Sequence, residues 1–400
     1  MRGRVVCLVV LAVFAFGSMC LVYFASALQA SALRHYAKWK NGPPSDPNFF
    51  PIGVWLQDPK NAARYKELGI NMYVGLWKGP TEEQLAALKA AGMKVICAQN
   101  EVGLRHLDDP TIIGWLQMDE PDNAQPKEGG GWGPAVPPEK VIAEYERMKR
   151  NDPTRPVLLN LGQGVANDVW VGRGCKWWDY YDYVRGCDII SFDIYPVNSM
   201  ARFYKTRDGA DCIWVVYKGV WRLREMVYDQ KPVWNVIETV RIRNNSGTPT
   251  PEHIRAEVWM SIIAGSRGIF YFCHQFEPKF IEAGPLAYPQ IGAALKRING
   301  ELRQLAPVIN TPDQGEIATV ESPAEAPVVM MARRYRGATY IFAVNTRKLA
   351  TQAQLTIMGE KGRAKVEVIG EGRSLTARDG RFSDEFDGYA VHLYRYAGGR

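Results

Sequence analysis

Two glutamates in this chain follow apolar runs that stop abruptly. Glu120 lies in Thr111-Ile-Ile-Gly-Trp-Leu-Gln-Met-Asp-Glu-Pro-Asp122, and Glu238 closes Lys231-Pro-Val-Trp-Asn-Val-Ile-Glu-Thr239. Each run reads as a buried strand with a carboxylate at its carboxyl end. A carboxylate parked at a strand tip is costly unless it is solvated, paired or used. Two such acids facing one gap could break a glycosidic bond. One would protonate the leaving oxygen while the other attacks or stabilises the sugar cation. Asp119, beside Glu120, adds a third carboxyl, and Pro121 ends the ladder directly after it.

Those acids need a scaffold that brings distant strand ends onto one face. Apolar strand patterns recur at residues 49–55, 70–77, 93–99, 112–118, 156–161, 187–195, 232–238 and 268–274. Helical patterns separate most of them, at 61–68, 81–91, 139–150, 212–228 and 251–264, and another follows at 290–305. Thr81 with Gln84 reads as a capping box, and Gly92 as the stop of the same helix. Alternating strands and helices with short connections predict a parallel sheet. Eight units in about 250 residues match a (β/α)8 TIM barrel, whose active sites sit at the carboxyl ends of the strands. An open doubly wound sheet is the competing arrangement, but no Gly-x-Gly-x-x-Gly follows the first strand. From residue 307 the pattern changes to short alternating runs at 316–320, 328–335, 339–345, 353–358, 364–369 and 389–396. These predict a small antiparallel β-sandwich. The expected division is 1–32 leader, 33–48 lead-in, 49–306 barrel and 307–400 sandwich.

The Glu-bearing stretches resemble clan A retaining glycoside hydrolases, over residues 49–305. Members of that clan carry an acid/base glutamate after strand four, usually as Asn-Glu-Pro, and a nucleophile at the end of strand seven. Met118-Asp-Glu-Pro121 is similar to the first motif and Val236-Ile-Glu238 to the second. The resemblance implies that Glu120 is acid/base and Glu238 nucleophile in a double displacement on β-linked oligo- or polysaccharide, with carboxyls about 5–5.5 Å apart. Asp119 stands where the clan has Asn, so an acceptor replaces a donor near the sugar 2-hydroxyl. Tyr195 resembles the clan tyrosine that touches the nucleophile.

Other strand-end residues join as candidate sugar contacts: Asn160, Asp193 and His274. A pyranose offers a flat apolar face to aromatic rings. Trp55, Trp77, Trp132, Trp177 and Trp178 are therefore candidate cleft walls, with Trp170, Tyr180 and Tyr181 in the same long segment after strand five. A non-catalytic carbohydrate-binding protein and a transglycosylase are the rival readings.

Composition excludes other classes. The chain has 400 residues, 46% hydrophobic and 23% charged, with a formal charge of +7 and no long Lys/Arg run. Nucleic acid is not an expected partner. The five histidines never fall at His-x-x-x-His spacing and no Cys-x-x-Cys occurs, so neither a metal nor another cofactor is expected. Arg2 and Arg4 precede an apolar run to about Leu28, with Ala25-Ser-Ala27 and Ala30-Ser-Ala32 following signal-peptidase patterns. The expectation is a secreted or periplasmic protein, membrane-associated only if that run stays uncleaved. A disulfide among Cys175, Cys187 and Cys212 fits such a compartment.

Overall fold

The computed structural model describes residues 34–398. The expected leader and its cleavage sites lie outside the described residues. Among the described residues no helix is long and apolar enough to cross a membrane.

Eight parallel strands close into a barrel in sequence order: β1 Ile52–Trp55, β2 Met72–Val74, β3 Lys94–Cys97, β4 Ile112–Asp119, β5 Val157–Leu161, β6 Ile189–Asp193, β7 Val233–Glu238 and β8 Gly268–Phe272. The closing pair is β1 with β8, Gly53 opposite Phe270. The crossover helices are α1 Ala62–Glu67, α2 Glu82–Ala91, α3 Glu101–Arg105, α4 Pro138–Asn151, α5 Val215–Met226, α6 Pro251–Ile263 and α7 Pro289–Ile309. Thr81 and Gln84 cap α2 reciprocally, and Gly92 ends it in the left-handed region at φ 64°. The last barrel helix runs through Pro307 to Ile309 before the chain leaves the barrel.

Period-two alternation along the strands fills the barrel interior. Met72, Val74, Ile96, Ile113, Leu158, Ile189, Trp234, Val236 and Phe270 form one buried cluster there. The lead-in segment adds Tyr36 and Trp39 to that cluster. The Tyr36 hydroxyl donates to the Arg267 carbonyl at 2.9 Å and accepts from Trp234 Nε1 at 2.8 Å. Trp234 stands near the amino end of β7, so this contact plugs the face opposite the acids, where stability rather than chemistry is built.

The C-terminal strands form a continuous antiparallel sheet in the order β10-β11-β16-β13-β14-β15-β12-β9. Their ranges are β9 Ala318–Glu321, β10 Val328–Tyr335, β11 Ala338–Asn345, β12 Thr351–Ile357, β13 Arg363–Val368, β14 Arg373–Arg378, β15 Arg381–Phe386 and β16 Val391–Tyr396. The sheet curls until the end strands β9 and β10 meet, enclosing Ile341, Ala343, Leu355, Val366, Phe382 and Tyr394. The hairpin of β14 and β15 goes beyond the sequence expectation. The face of the sheet formed by β10, β11 and β16 packs on α6, with Trp259 and Phe342 ring centroids 5.0 Å apart. Arg255 Nη1 donates to the Val391 carbonyl at 2.9 Å, and the Tyr389 hydroxyl donates to the Ala210 carbonyl.

The expected disulfide is absent. Cys97, Cys175, Cys187, Cys212 and Cys273 are all buried free thiols. Cys175, Cys187 and Cys212 behave as small apolar side chains in one cluster between β5, β6 and the helices outside them.

Candidate active site

The β4 strand delivers three acids within four residues, and its backbone is irregular where it does so. Its pairing with β5 shifts register between Leu116 and Asp119. A bulge of this kind re-aims side chains at a barrel rim. Glu120 follows in the left-handed region at φ 43°, a conformation uncommon for a residue with a Cβ and concentrated at functional positions. The Glu120 N–H donates to the Asn160 carbonyl at 2.9 Å, which tethers the turn to β5.

Around that turn the acids have distinct surroundings. Asp119 accepts from Asn160 Nδ2 at 3.0 Å. It is ringed by protein yet open to solvent on one side. Lost hydration and the charge of Glu120 push its carboxyl up to about 7, against the Asn160 amide. Asp122 is fully buried. It accepts from the Gly162 N–H at 2.8 Å and the Tyr180 hydroxyl at 2.7 Å, and burial still raises it to about 7. Gly162 matters because a Cβ there would stand 2.9 Å from Glu120 Oε1 and 3.4 Å from Asp122 Oδ2.

From β6, the carboxyl of Asp193 comes into hydrogen-bonding contact with the Glu120 carboxyl. The Tyr195 hydroxyl donates to Asp193 Oδ2 at 2.7 Å. Burial, then the charges of Glu120 and Asp119, drive the Asp193 pKa well upward, while the tyrosine bond opposes that rise. Two carboxyls in contact cannot both be ionised at low cost, and here the rise falls on Asp193.

Glu238, expected to face Glu120, has different neighbours. It is fully buried. Its Oε1 accepts from the Val197 N–H at 2.6 Å. Its Oε2 accepts from Asn198 N at 3.1 Å and Asn198 Nδ2 at 2.5 Å. The donors belong to a wide, π-type turn at Pro196–Met200 that follows β6. Asn198 is in turn locked, donating to the Val240 carbonyl at 3.0 Å and accepting from Ile242 N at 2.8 Å. Behind Glu238 stands Glu257 of α6, also fully buried and in carboxyl–carboxyl contact with it. Neither Glu257 oxygen has an N–H donor in bonding geometry, although the Glu238 amide lies near. A proton on Glu257, donated to Glu238, satisfies the pair. Burial raises both acids, Glu238 to about 7 despite its donors and Glu257 further.

The aromatic candidates divide. Trp55 is buried in the barrel interior, stacked on Phe270 at 5.8 Å. Trp177 packs on Tyr180 at 5.5 Å with the Arg222 guanidinium 4.8 Å above its ring. Trp77, Trp132 and Trp178 are exposed. Of these, Trp132 lines a cavity of about 320 Å³ with Trp170, Phe203, Gln163, Arg173 and Arg202. His274 is buried, its ring nitrogen 3.1 Å from Gln57 Nε2 and its face stacked on Phe280 at 6.0 Å. A larger cavity of about 560 Å³ opens beside Tyr195, walled by Phe272, Phe276 and Asn198.

Sequence reasoning did not single out Asp122, Gly162, Asn198 or Glu257 as site residues, and it read Tyr180 as a cleft wall rather than a donor to Asp122. The one with a readable signal is Glu257, an acid inside Ile254-Arg-Ala-Glu-Val-Trp-Met260, where apolar neighbours leave it no solvent face. Among the described residues no group of His, Cys, Asp and Glu could hold a metal ion.

No family model matches the sequence, and no curated protein matches it. Solved structures do match the fold. AmyP, crystallised as a variant with maltotriose, aligns over 94% of this chain and 99% of its own, with TM-score 0.54 and 10% identity. AmyB of Thermotoga neapolitana, a noncanonic maltogenic α-amylase, aligns over 88% and 99%, with TM-score 0.50 and 9% identity. The α-L-arabinofuranosidase of Thermotoga maritima, solved with arabinose, aligns over 91% and 98%, with TM-score 0.50 and 10% identity. At these identities the likeness is one of fold: a TIM barrel followed by an antiparallel β domain, an architecture this chain shares with glycoside hydrolases.

Proposed function

We propose that the chain is a retaining glycosidase for β-linked oligo- or polysaccharide, with Glu120 and Asp193 as its working carboxyls. The observation that carries this reading is the contact of Glu120 with Asp193 at the carboxyl ends of β4 and β6, with the Tyr195 hydroxyl on Asp193. Inverting enzymes hold their acids about 6.5–9.5 Å apart to admit a water. Acids that touch in the free protein favour the closer, retaining arrangement, with the sugar itself parting them.

Glu120 is the donor. It sits on the longer side chain, is partly exposed, and receives no hydroxyl bond. With substrate bound, the proton kept by Asp193 passes to Glu120, which gives it to the glycosidic oxygen as that bond breaks. Asp193, its charge steadied by the Tyr195 O–H, forms the bond to the anomeric carbon. Glu120, now ionised, takes a proton from water, whose oxygen attacks the glycosyl–Asp193 ester. Sugar leaves with retained configuration and the proton returns to Asp193. Asp119, held by Asn160, would accept from a sugar hydroxyl beside the dyad. In this reading Glu238 is a structural acid that pins the turn at Pro196–Met200, since its oxygens are occupied and it has no exposed surface. The β-linkage rests on the resemblance of the Asp-Glu-Pro stretch. The N-terminal apolar run, read as a signal peptide or a retained anchor, supports an activity outside the cytoplasm.

The test is a polysaccharide panel with product anomers followed by NMR. The expected result is release of sugar with retained configuration by the wild type and none by Glu120→Gln. Inverted product, or turnover undiminished in that variant, would overturn the reading.

A further inference from the structure

We propose that the cavity beside Tyr195 binds an anionic sugar unit, so that the substrate is an acidic carbohydrate. This rests on the glycosidase reading and narrows it. The cavity, about 560 Å³, is lined by three arginines, Arg202, Arg207 and Arg243, against one acid, Asp208. Asp208 is already engaged. Its Oδ1 accepts from the Ala210 N–H at 3.0 Å, and its Oδ2 lies 3.5 Å from Lys348 Nζ.

The arginines are free to receive a ligand. Among the described residues neither Arg202 nor Arg207 has a recorded ion pair, and Arg243 has a single long one, 3.5 Å to Glu277. Two of them are laid on aromatic rings. The Arg202 guanidinium stands 4.6 Å from the Phe203 ring, and that of Arg243 stands 5.8 Å from the Phe276 ring. Stacking restrains the planar fork and leaves its edge N–H groups for an acceptor. A guanidinium matches a carboxylate or a sulfate with two parallel bonds. Phe272 and Phe276 supply an apolar wall for the ring that carries the anion.

Charge placement gives the arrangement a direction. Asp119, Glu120, Asp122 and Asp193 place acids rather than bases at the ends of β4 and β6. The arginines line the cavity that Tyr195 also lines, and Asp119, Glu120, Asp122 and Asp193 do not line it. An acidic sugar would therefore enter with its charge in the cavity and its scissile bond at the dyad. Arg202 also lines the neighbouring cavity with Trp132 and Trp170, which extends the track to a further sugar unit.

The experiment measures binding of the full chain to a glycan panel with matched members: oligogalacturonate, its methyl ester, a sulfated galactan oligosaccharide, and neutral gluco-, xylo- and galacto-oligosaccharides. Wild type should prefer charged members, with affinity falling as NaCl is raised. Arg202→Ala and Arg207→Ala, at exposed positions where folding is readily checked by circular dichroism, should each weaken charged ligands about tenfold or more and change neutral ones little. Preference for sulfate over carboxylate, or the reverse, identifies the source of the charge. Binding confined to neutral glycans, or equal losses on charged and neutral ligands, overturns this inference and leaves the glycosidase reading standing. Binding to no glycan at all sinks both.

Discussion

The barrel contains two carboxyl pairs, and they differ in almost everything but composition. Glu120 with Asp193 meets at the strand ends, partly exposed, with a single hydroxyl donor on Asp193. Glu238 with Glu257 is sealed, with backbone and amide donors closing both oxygens of Glu238. Each pair keeps a proton, on Asp193 in the first and between Glu238 and Glu257 in the second. In the open pair that proton can be handed to a substrate oxygen. In the closed pair it can only hold two elements together, here α6 and the turn after β6. Access, more than the mere presence of paired acids, separates chemistry from architecture.

The largest expected effect sets the pairs against each other. Asp193→Asn should lower turnover by about 10³-fold or more, in the range of losing a reacting carboxyl. Glu238→Gln, which keeps shape and one acceptor, should leave turnover within about tenfold. Rates on any cleaved glycan, with circular dichroism as the check on folding, decide it. Abolished turnover in folded Glu238→Gln with an active Asp193→Asn would reverse the comparison and return the nucleophile to β7.

Next comes the space that holds Glu120 in place. Gly162→Ala inserts a Cβ 2.9 Å from Glu120 Oε1 and 3.4 Å from Asp122 Oδ2. The glutamate must swing aside, and small misplacements of reacting groups are expensive. Turnover should fall roughly 10- to 100-fold with little change in KM. A variant as active as wild type would show that the acid works from another position.

Much of the scaffold was legible because each barrel strand is a dense apolar run and each long helix has a periodic face. The place of Glu120 at a strand end was legible from its abrupt apolar-to-acid boundary. Its contact with Asp193 was not. Asp193 appeared only as a sugar contact, because the Glu120–Asp193 meeting depends on a register shift in β4 and a positive φ at Glu120. Neither is written in residue type. Glu238 has the same apolar-to-acid boundary as Glu120, yet the amides that enclose it come from an irregular turn with no periodicity to read. The β14 and β15 hairpin was missed because Arg373-Ser-Leu-Thr-Ala-Arg378 is polar on its outer face. Its turn did carry a signal: Asp379-Gly380, both at positive φ, 50° and 77°.

Tyr195→Phe sharpens the open pair. The hydroxyl bond to Asp193 lowers a pKa that burial raises. Without it Asp193 ionises less readily, so the limb of the rate profile that follows Asp193 ionisation should move to higher pH. The loss in turnover should be about tenfold, as for one hydrogen bond to a charged group. An unmoved limb would mean that Tyr195 merely packs against Phe272, whose ring lies 4.9 Å away.

The smallest effect belongs to the closed pair and is read in stability. Burial raises Glu238 to about 7 and Glu257 further, so the folded protein keeps protons that the unfolded chain, with carboxyls near 4.3, has released. Stability from this pair is therefore fully present below the unfolded value and declines as pH rises towards the folded one. Across about pH 5 to pH 8 the pair should cost the wild type on the order of 1–3 kcal/mol. Glu257→Gln donates an N–H to Glu238 at every pH and needs no proton to do it. Its decline over the same window should be shallower, with turnover nearly unchanged. Asp119 and Asp122 are also raised to about 7, but they contribute the same slope to both proteins, so the difference between the denaturation curves isolates the pair. Identical slopes would show that Glu257 carries no proton for Glu238 and that the turn after β6 is held by the Val197 and Asn198 donors alone.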